Sequence, residues 1–478
     1  MNTLYRPELL YSDGKFLSGA ELLVSDSGAI MEAPERFDAV STRIVDMPGK
    51  ALLPGFVNAH SHSFQRLIRG KAESRAASGN DFWSWRGTMY QAASRLDPQD
   101  VYDVARMAFL EMVLAGTTTV GEFHYLHNAP DGKPYDDPNL LGKQVIAAAR
   151  SVRLRIVLLR AAYLRSGFGL HPTDGDLSAG IPMARDAAQA RFFESASTFL
   201  ENVSGLMQAY PDAPEVRFGI APHSVRAVPL PDLKAITEWN RDANLPLHMH
   251  VSEQVAENAA CLREHGLTPV ALLEKERILS PQFTAVHAIH VSDAEIVALA
   301  EAQSAICACP TTERNLGDGV FPADRAMAAG LRVALGSDSQ AQIDSLEDAR
   351  QLEYHLRLQQ QKRGVLDQIA GKPLAARLFE CATANGASVL GIGSGELKPG
   401  NAADFFTVDL SNIAIAGHSA EDLLSILVFS LPGSAVCDVV VNGRMIVRDR
   451  RHGLRDEIVA RYNEVHRKVW RKSDEERN

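Results

Sequence analysis

Eight apolar runs of strand length recur through the middle of the chain: LLPGFVNAH, TTTVGEFHY, LRIVLLRAAY, EVRFGIAPH, LPLHMHVSE, FTAVHAIH, AICACPTT and LRVALGSDS. Segments of helical spacing separate them, for example DPQDVYDVARMAFLEMVLAG. Apolar strands alternating with amphipathic helices predict an α/β chain, a (β/α)8 TIM barrel. No fixed short repeat or low-complexity stretch competes with that reading. Polar residues with chemical potential stand at or just past the C-terminal ends of these strands: His60 and His62, His124, His223, His250 and Glu253, His287, and Asp338. The strand ends of a barrel share one face, so the pattern predicts a single pocket there.

The two ends of the chain read differently. GAELLVSDSGAIM and STRIVDMPGKALLPGF near the start, and ADFFTVDL and AVCDVVVNGRMIV near the end, are short β-type runs, and Asn442-Gly443 is a hairpin signal. A length of 478 residues accommodates a barrel and one small further domain. The expected division is a small β-sandwich domain from residues 1–53 and 395–452, a barrel over 54–394, and a C-terminal helix with a charged, fraying tail over 453–478.

Composition excludes several roles. A formal net charge of -10 without Lys/Arg clusters argues against nucleic acid or an anionic membrane as partner. The opening MNTLYRPELLYSDGKF lacks the pattern of a signal peptide, and no uncharged apolar stretch is long enough to span a bilayer. Five scattered cysteines (Cys261, Cys307, Cys309, Cys381, Cys437) fit reduced core thiols and a cytoplasmic setting. Cys307 and Cys309 could suggest metal binding, but their apolar run reads as a buried strand.

The chemistry begins at His60-Ser61-His62. Residues two apart in a strand point the same way, so both imidazoles can aim at one point. A catalytic metal site needs about three protein ligands and an open position, so this pair alone does not establish one. His250 in HMHVSE offers a third ligand, and Glu253 a carboxylate able to move a proton between an attacking water and a leaving nitrogen. His248 reads as a barrel-wall histidine satisfied by hydrogen bonds. His287 could ligate, or orient and polarise the nucleophile. Asp338 in GSD could cap a helix, but within this constellation it reads as a ligand and proton acceptor. Asn315-Leu316-Gly317-Asp318-Gly319 lacks the P-loop pattern and reads as a pocket-shaping loop.

PGFVNAHSH, the His-x-x-Glu of HVSE, the strand-end His287 and the GSD of the last strand resemble the amidohydrolase superfamily, in its deaminase branch. HSHSFQRLIRGKAE, DFWSWRGTMY, GEFHYLHN, APHSVRAV and CPTTERNLGDGVFP are similar to the formimidoylglutamate deiminases within that branch. GSDSQ and FHYLHN each lack a histidine expected after the matched segment. The resemblance implies that His60, His62, His250 and Asp338 bind one divalent metal ion, zinc above others. It implies that Glu253, His287 and Asp338 are catalytic and that Gln65, Arg86, Tyr125, His223 and Arg226 hold the substrate. The implied reaction is hydrolytic deamination of N-formimino-L-glutamate to N-formyl-L-glutamate and ammonia, in histidine catabolism, by a homodimer. Arginine presents a planar fork of donors suited to the two carboxylates of such a substrate. Two alternatives stay open at this point: deamination of another amidine or a nucleobase, and a non-catalytic barrel.

Overall fold

Parallel strands covered on both faces need apolar side chains in both directions, and the middle of this chain supplies them. The computed structural model describes residues 1–32, 42–73, 81–168 and 186–471. The charged tail expected to fray, residues 472–478, lies outside the described residues. Strands β1 (Asn2–Ser12), β2 (Lys15–Ser18), β3 (Leu22–Val24) and β4 (Thr42–Pro54) open the chain. The barrel strands follow: β5 (Phe56–Ser61), β6 (Thr117–His124), β7 (Arg155–Ala162), β8 (Val216–Pro222), β9 (Leu247–Val251), β10 (Phe283–His287), β11 (Ala305–Ala308) and β12 (Arg332–Leu335). Each falls inside one of the eight apolar runs, except that β5 runs one residue further, to Ser61. They pair in chain order, all parallel, with every residue of β5, β6 and β7 buried.

The barrel closes where the chemistry sits. No regular ladder joins β12 to β5; a parallel bridge between Ser61 and Asp338 does so instead. The Asp338 N–H donates to the His60 carbonyl at 3.0 Å, and the His62 N–H to the Asp338 carbonyl at 3.0 Å. Gly336 makes this approach possible, since a Cβ there would stand 2.6 Å from the His60 Cβ and 2.7 Å from its carbonyl oxygen.

Three late strands, β13 (Phe405–Asp409), β14 (Val436–Val441) and β15 (Arg444–Val447), join the four early ones in one sheet, ordered β15-β14-β13-β4-β1-β2 with β3 on β1. Both ends of the chain therefore build one β-unit, as expected, although the seven strands hydrogen-bond as a single sheet and not as two facing sheets. Period-two alternation assigns its faces. Tyr5, Leu10, Leu52, Phe405 and Val440 form a small core of their own, while Leu9, Tyr11, Leu53, Phe406 and Val439 join the barrel core. Asn442 (φ 50°) and Gly443 (φ 71°) turn β14 into β15, the hairpin their sequence announces.

The expected helix after Asp97 spans Pro98–Leu114. Asp97 accepts the Asp100 N–H and Asp100 accepts the Asp97 N–H, each at 2.9 Å, and Pro98 fills the first turn. The last helix, Arg455–Trp470, lies against it through Arg106–Glu457 (2.8 Å) and Lys468–Asp100 (2.6 Å). Its Trp470 indole donates to the Leu67 carbonyl at 3.0 Å, beside the segment Ser63–Ile68 that carries Gln65. Among the described residues no helix is long and apolar enough to cross a membrane.

Candidate metal and substrate site

At the C-terminal end of the barrel, donor atoms of His60, His62, His250 and Asp338 all lie within 4.8 Å of one another, and all four residues are buried. His250 Nε2 stands 3.2 Å from His60 Nε2 and 3.3 Å from His62 Nε2. Asp338 Oδ1 is 3.5 Å from His60 Nε2 and 3.3 Å from His62 Nε2. Metal–nitrogen bonds near 2.0–2.1 Å in a tetrahedron separate the donors by roughly 3.3 Å, so the spacing fits one ion.

The hydrogen bonds behind the rings carry the fit further. His62 Nδ1–H donates to the Phe123 carbonyl at 2.8 Å, and His250 Nδ1–H to the His223 carbonyl at 3.0 Å. With their protons held there, both neutral rings turn bare Nε2 lone pairs toward each other. Two lone pairs at 3.3 Å repel unless a cation lies between them. Burial drives the pKa of His60 down to about 3 and lowers His62 and His250 as well, which keeps the rings in the form that binds metal.

Asp338 faces two ways. Its Oδ1 looks into the imidazole cluster, while Oδ2 is 3.7 Å from His287 Nε2. Burial pushes its carboxyl up, but His60, His287 and His62 outweigh this and hold it well below the usual range. His287 donates through Nδ1 to Glu313 Oε1 at 3.2 Å. Burial favours neutral His287, yet Glu253, Glu313 and Asp338 together raise its pKa well above the ordinary value. Glu253 follows β9 and its own pKa is raised, first by burial. Ser252, His287, Ala288, Asp338 and Gln340 all have positive φ, between 46° and 70°, without being glycine. Such backbone is strained, and here it is gathered at the strand ends around the cluster.

One cavity collects most of the residues singled out from the sequence. His62, His250, Asp338, Glu253 and His287 line it, Gln65, Tyr125, His223, Arg86 and Arg226 are among its other lining residues, and His60 is fully buried beside it. Gln65 donates to the Tyr125 hydroxyl at 2.7 Å and leaves its own Oε1 buried without a partner. Arg226 likewise has a buried Nη1 without a partner. Arg86 projects from the helix Asp81–Ser94 and is bonded through Nε to the Tyr90 hydroxyl.

His124 corrects the simple strand-end expectation. Phe123 packs on the His60 and His62 rings and Tyr125 lines the cavity, so the intervening His124 points outward, toward Gly142 of the helix Leu140–Ser151. His248 is a wall residue, fully buried and bonded to the Val389 carbonyl at 3.0 Å. All five cysteines are free and buried. Cys309 does lie within 4.8 Å of donor atoms of His287 and Asp338, but burial raises its pKa well above normal and keeps it a thiol. Leu316 of the Gly-rich loop lines the cavity, and Gly317 (φ 72°) caps the short helix before it.

Several participants were not foreseen. Glu313 lay within a quoted motif without an assignment. Glu122 accepts from the Ser61 and Ser63 hydroxyls at 2.6 Å each, tying the residues on either side of His62 to β6. Tyr163, the residue directly after β7, also lines the cavity, and the strand-end rule applied to tyrosine would have found it.

A closed parallel barrel with such a cluster at its C-terminal mouth belongs to a class, the metal-dependent hydrolases of carbon–nitrogen bonds. More narrowly, the chain belongs to the amidohydrolase family, whose model matches residues 51–446. It is 35% identical to the formimidoylglutamate deiminase of Pseudomonas aeruginosa over 404 residues, covering 84% of this chain and 86% of that one. It is 26% identical to a 5-methylthioadenosine/S-adenosylhomocysteine deaminase of Pyrococcus abyssi, covering 92% of each. Among solved structures, an amidohydrolase from Brucella melitensis superposes with a TM-score of 0.86 at 31% identity, covering 98% of this chain and all of that one.

Proposed function

We propose that this amidohydrolase removes ammonia from N-formimino-L-glutamate, giving N-formyl-L-glutamate. The carrying observation is the pair of cavity-lining arginines, Arg86 and Arg226, with the buried Nη1 of Arg226 unpartnered. A buried guanidinium donor without an acceptor is unfavourable, and a ligand carboxylate is the acceptor that suits its geometry. The 35% identity to a formimidoylglutamate deiminase supports the same substrate.

His60, His62, His250 and Asp338 would hold the metal. A divalent ion there supplies a Lewis acid and a water of lowered pKa. Asp338 Oδ2 and His287 Nε2 orient the attacking water toward the formimino carbon. Water adds to that carbon, its bond to the terminal nitrogen breaks, and ammonia leaves as the carbonyl of the formyl group forms. Glu253, whose raised pKa lets its carboxyl carry a proton, delivers one to the departing nitrogen. The buried, unpartnered Gln65 Oε1 would accept an N–H from the amidine end, and Arg86 and Arg226 would convert carboxylate binding into position at the reacting carbon.

The test is ammonia release from N-formimino-L-glutamate by the metal-loaded protein and its Arg226→Met variant. The variant should keep its metal and lose roughly ten- to a hundredfold in kcat/KM, chiefly through KM. Unchanged kinetics would remove Arg226 from the substrate site.

A further inference from the structure

Three of the four metal donors face each other across a seam of the barrel that no regular ladder closes. His60 and His62 stand on its β5 side and Asp338 on its β12 side, joined by two backbone hydrogen bonds. The separation of these donors therefore depends on what else holds the seam.

Six buried side chains hold it, as one chain of hydrogen bonds. Asn58 of β5 accepts the Ser337 N–H at 3.0 Å and donates through Nδ2 to the Ser337 hydroxyl at 2.6 Å. That hydroxyl donates in turn to Gln340 Oε1 at 3.0 Å. Gln340 Nε2 donates twice, to the Asp338 carbonyl at 2.9 Å and to the Ser61 hydroxyl at 2.8 Å. Ser61 donates to Glu122 Oε2 at 2.6 Å. Glu122 Oε1 accepts the Ser63 hydroxyl at 2.6 Å and the Ser63 N–H at 2.7 Å. None of the six residues is more than 5% exposed, and none keeps a buried side-chain polar atom without a partner.

Gln340 is the link that crosses the seam. The Asp338 carbonyl can only accept, so the Gln340 amide turns its nitrogen there and its oxygen to Ser337. An amide supplies the two donors and the acceptor this position uses; a carboxylate would supply no donor. Asp338 (φ 46°) and Gln340 (φ 62°) both hold strained backbone, which persists only where its surroundings fix it. The Gln340 carbonyl accepts from Arg69 Nε at 2.8 Å, so its main chain is tied to the segment after β5 as well.

We infer that Gln340 is a positioning residue for the metal ligands. It ties the backbone that carries His60 and His62, at Ser61 between them, to the backbone that carries Asp338. It is fully buried and does not line the cavity, so it acts through the donors' spacing and not by contact with a substrate. Donors held at the right separation before an ion arrives bind it more tightly than donors that must be gathered. The inference rests on the metal-site reading and not on the choice of substrate.

The test titrates the metal-free protein with zinc against a chromophoric chelator, for wild type, Gln340→Met and Ser61→Ala. Gln340→Met keeps the length of the side chain and removes its hydrogen bonds, and the zinc Kd should rise about tenfold or more. Ser61→Ala removes one end of the bridge and should raise it by a smaller factor. Cobalt in place of zinc reports the geometry: the visible absorption of Gln340→Met should differ from wild type in position or intensity. Thermal unfolding of the metal-free proteins separates positioning from a merely structural role. A lowered Tm with wild-type zinc affinity and an unchanged cobalt spectrum would overturn the assignment. If Gln340→Met does not fold, Ser61→Ala decides by the same two readouts. A wild type that binds no zinc would sink the metal reading and the clamp with it. A wild type that binds zinc no more tightly than either variant would sink the clamp alone.

Discussion

The two sides of the cavity are built by different means. On the imidazole side, donors stand on barrel strands or within three residues of their ends, and backbone carbonyls of Phe123 and His223 set the rings of His62 and His250. The backbone of His60, His62 and Asp338 even closes the barrel. On the arginine side, Arg86 comes from a helix and is held by the hydroxyls of Tyr90 and Tyr163, and Arg226 comes from the turn after β8. On the proposed reading, the chemistry is fixed by the barrel itself, while recognition hangs on side chains outside its strands. That division explains how deaminases of such different named substrates share one fold with this chain.

The largest expected effect lies on the imidazole side. His250→Ala should abolish stoichiometric metal binding, read by elemental analysis, and lower turnover on the order of a thousandfold. A variant that keeps both would break the comparison at its firmest point. Glu253→Gln comes next: the metal should stay, and kcat should fall on the order of a hundredfold or more. Near-normal turnover would remove Glu253 from proton transfer. Glu313→Gln, which keeps a hydrogen-bond acceptor for His287 but removes its charge, should lower kcat about tenfold with KM and metal content unchanged. A change confined to KM would move Glu313 to the recognition side instead.

Legibility in the sequence follows the same division. Strand-borne residues announce themselves, because a polar group ending an apolar run can only face the mouth of the barrel or its helical wall. His60, His62, His250, His287 and Asp338 were visible on that ground. His124 misled it, since one step along a strand reverses direction and gives the cavity to Tyr125. Arg86 and Arg226 came only from resemblance, because a surface arginine and a buried anchor look alike in sequence. Glu313 meets His287 through a hydrogen bond between segments distant in the chain, which no local pattern encodes, whereas Tyr163 needed only the strand-end rule extended to tyrosine. The terminal sheet was readable as β-structure from both ends, but its joining into one sheet depends on β4 pairing with both β1 and β13.

The most direct measurement is ammonia release by the zinc-loaded protein from N-formimino-L-glutamate, 5-methylthioadenosine and cytosine at equal concentration. Release from formiminoglutamate alone is the predicted result. Release from a nucleoside or nucleobase, with none from formiminoglutamate, would contradict the account and reassign the arginine side of the cavity.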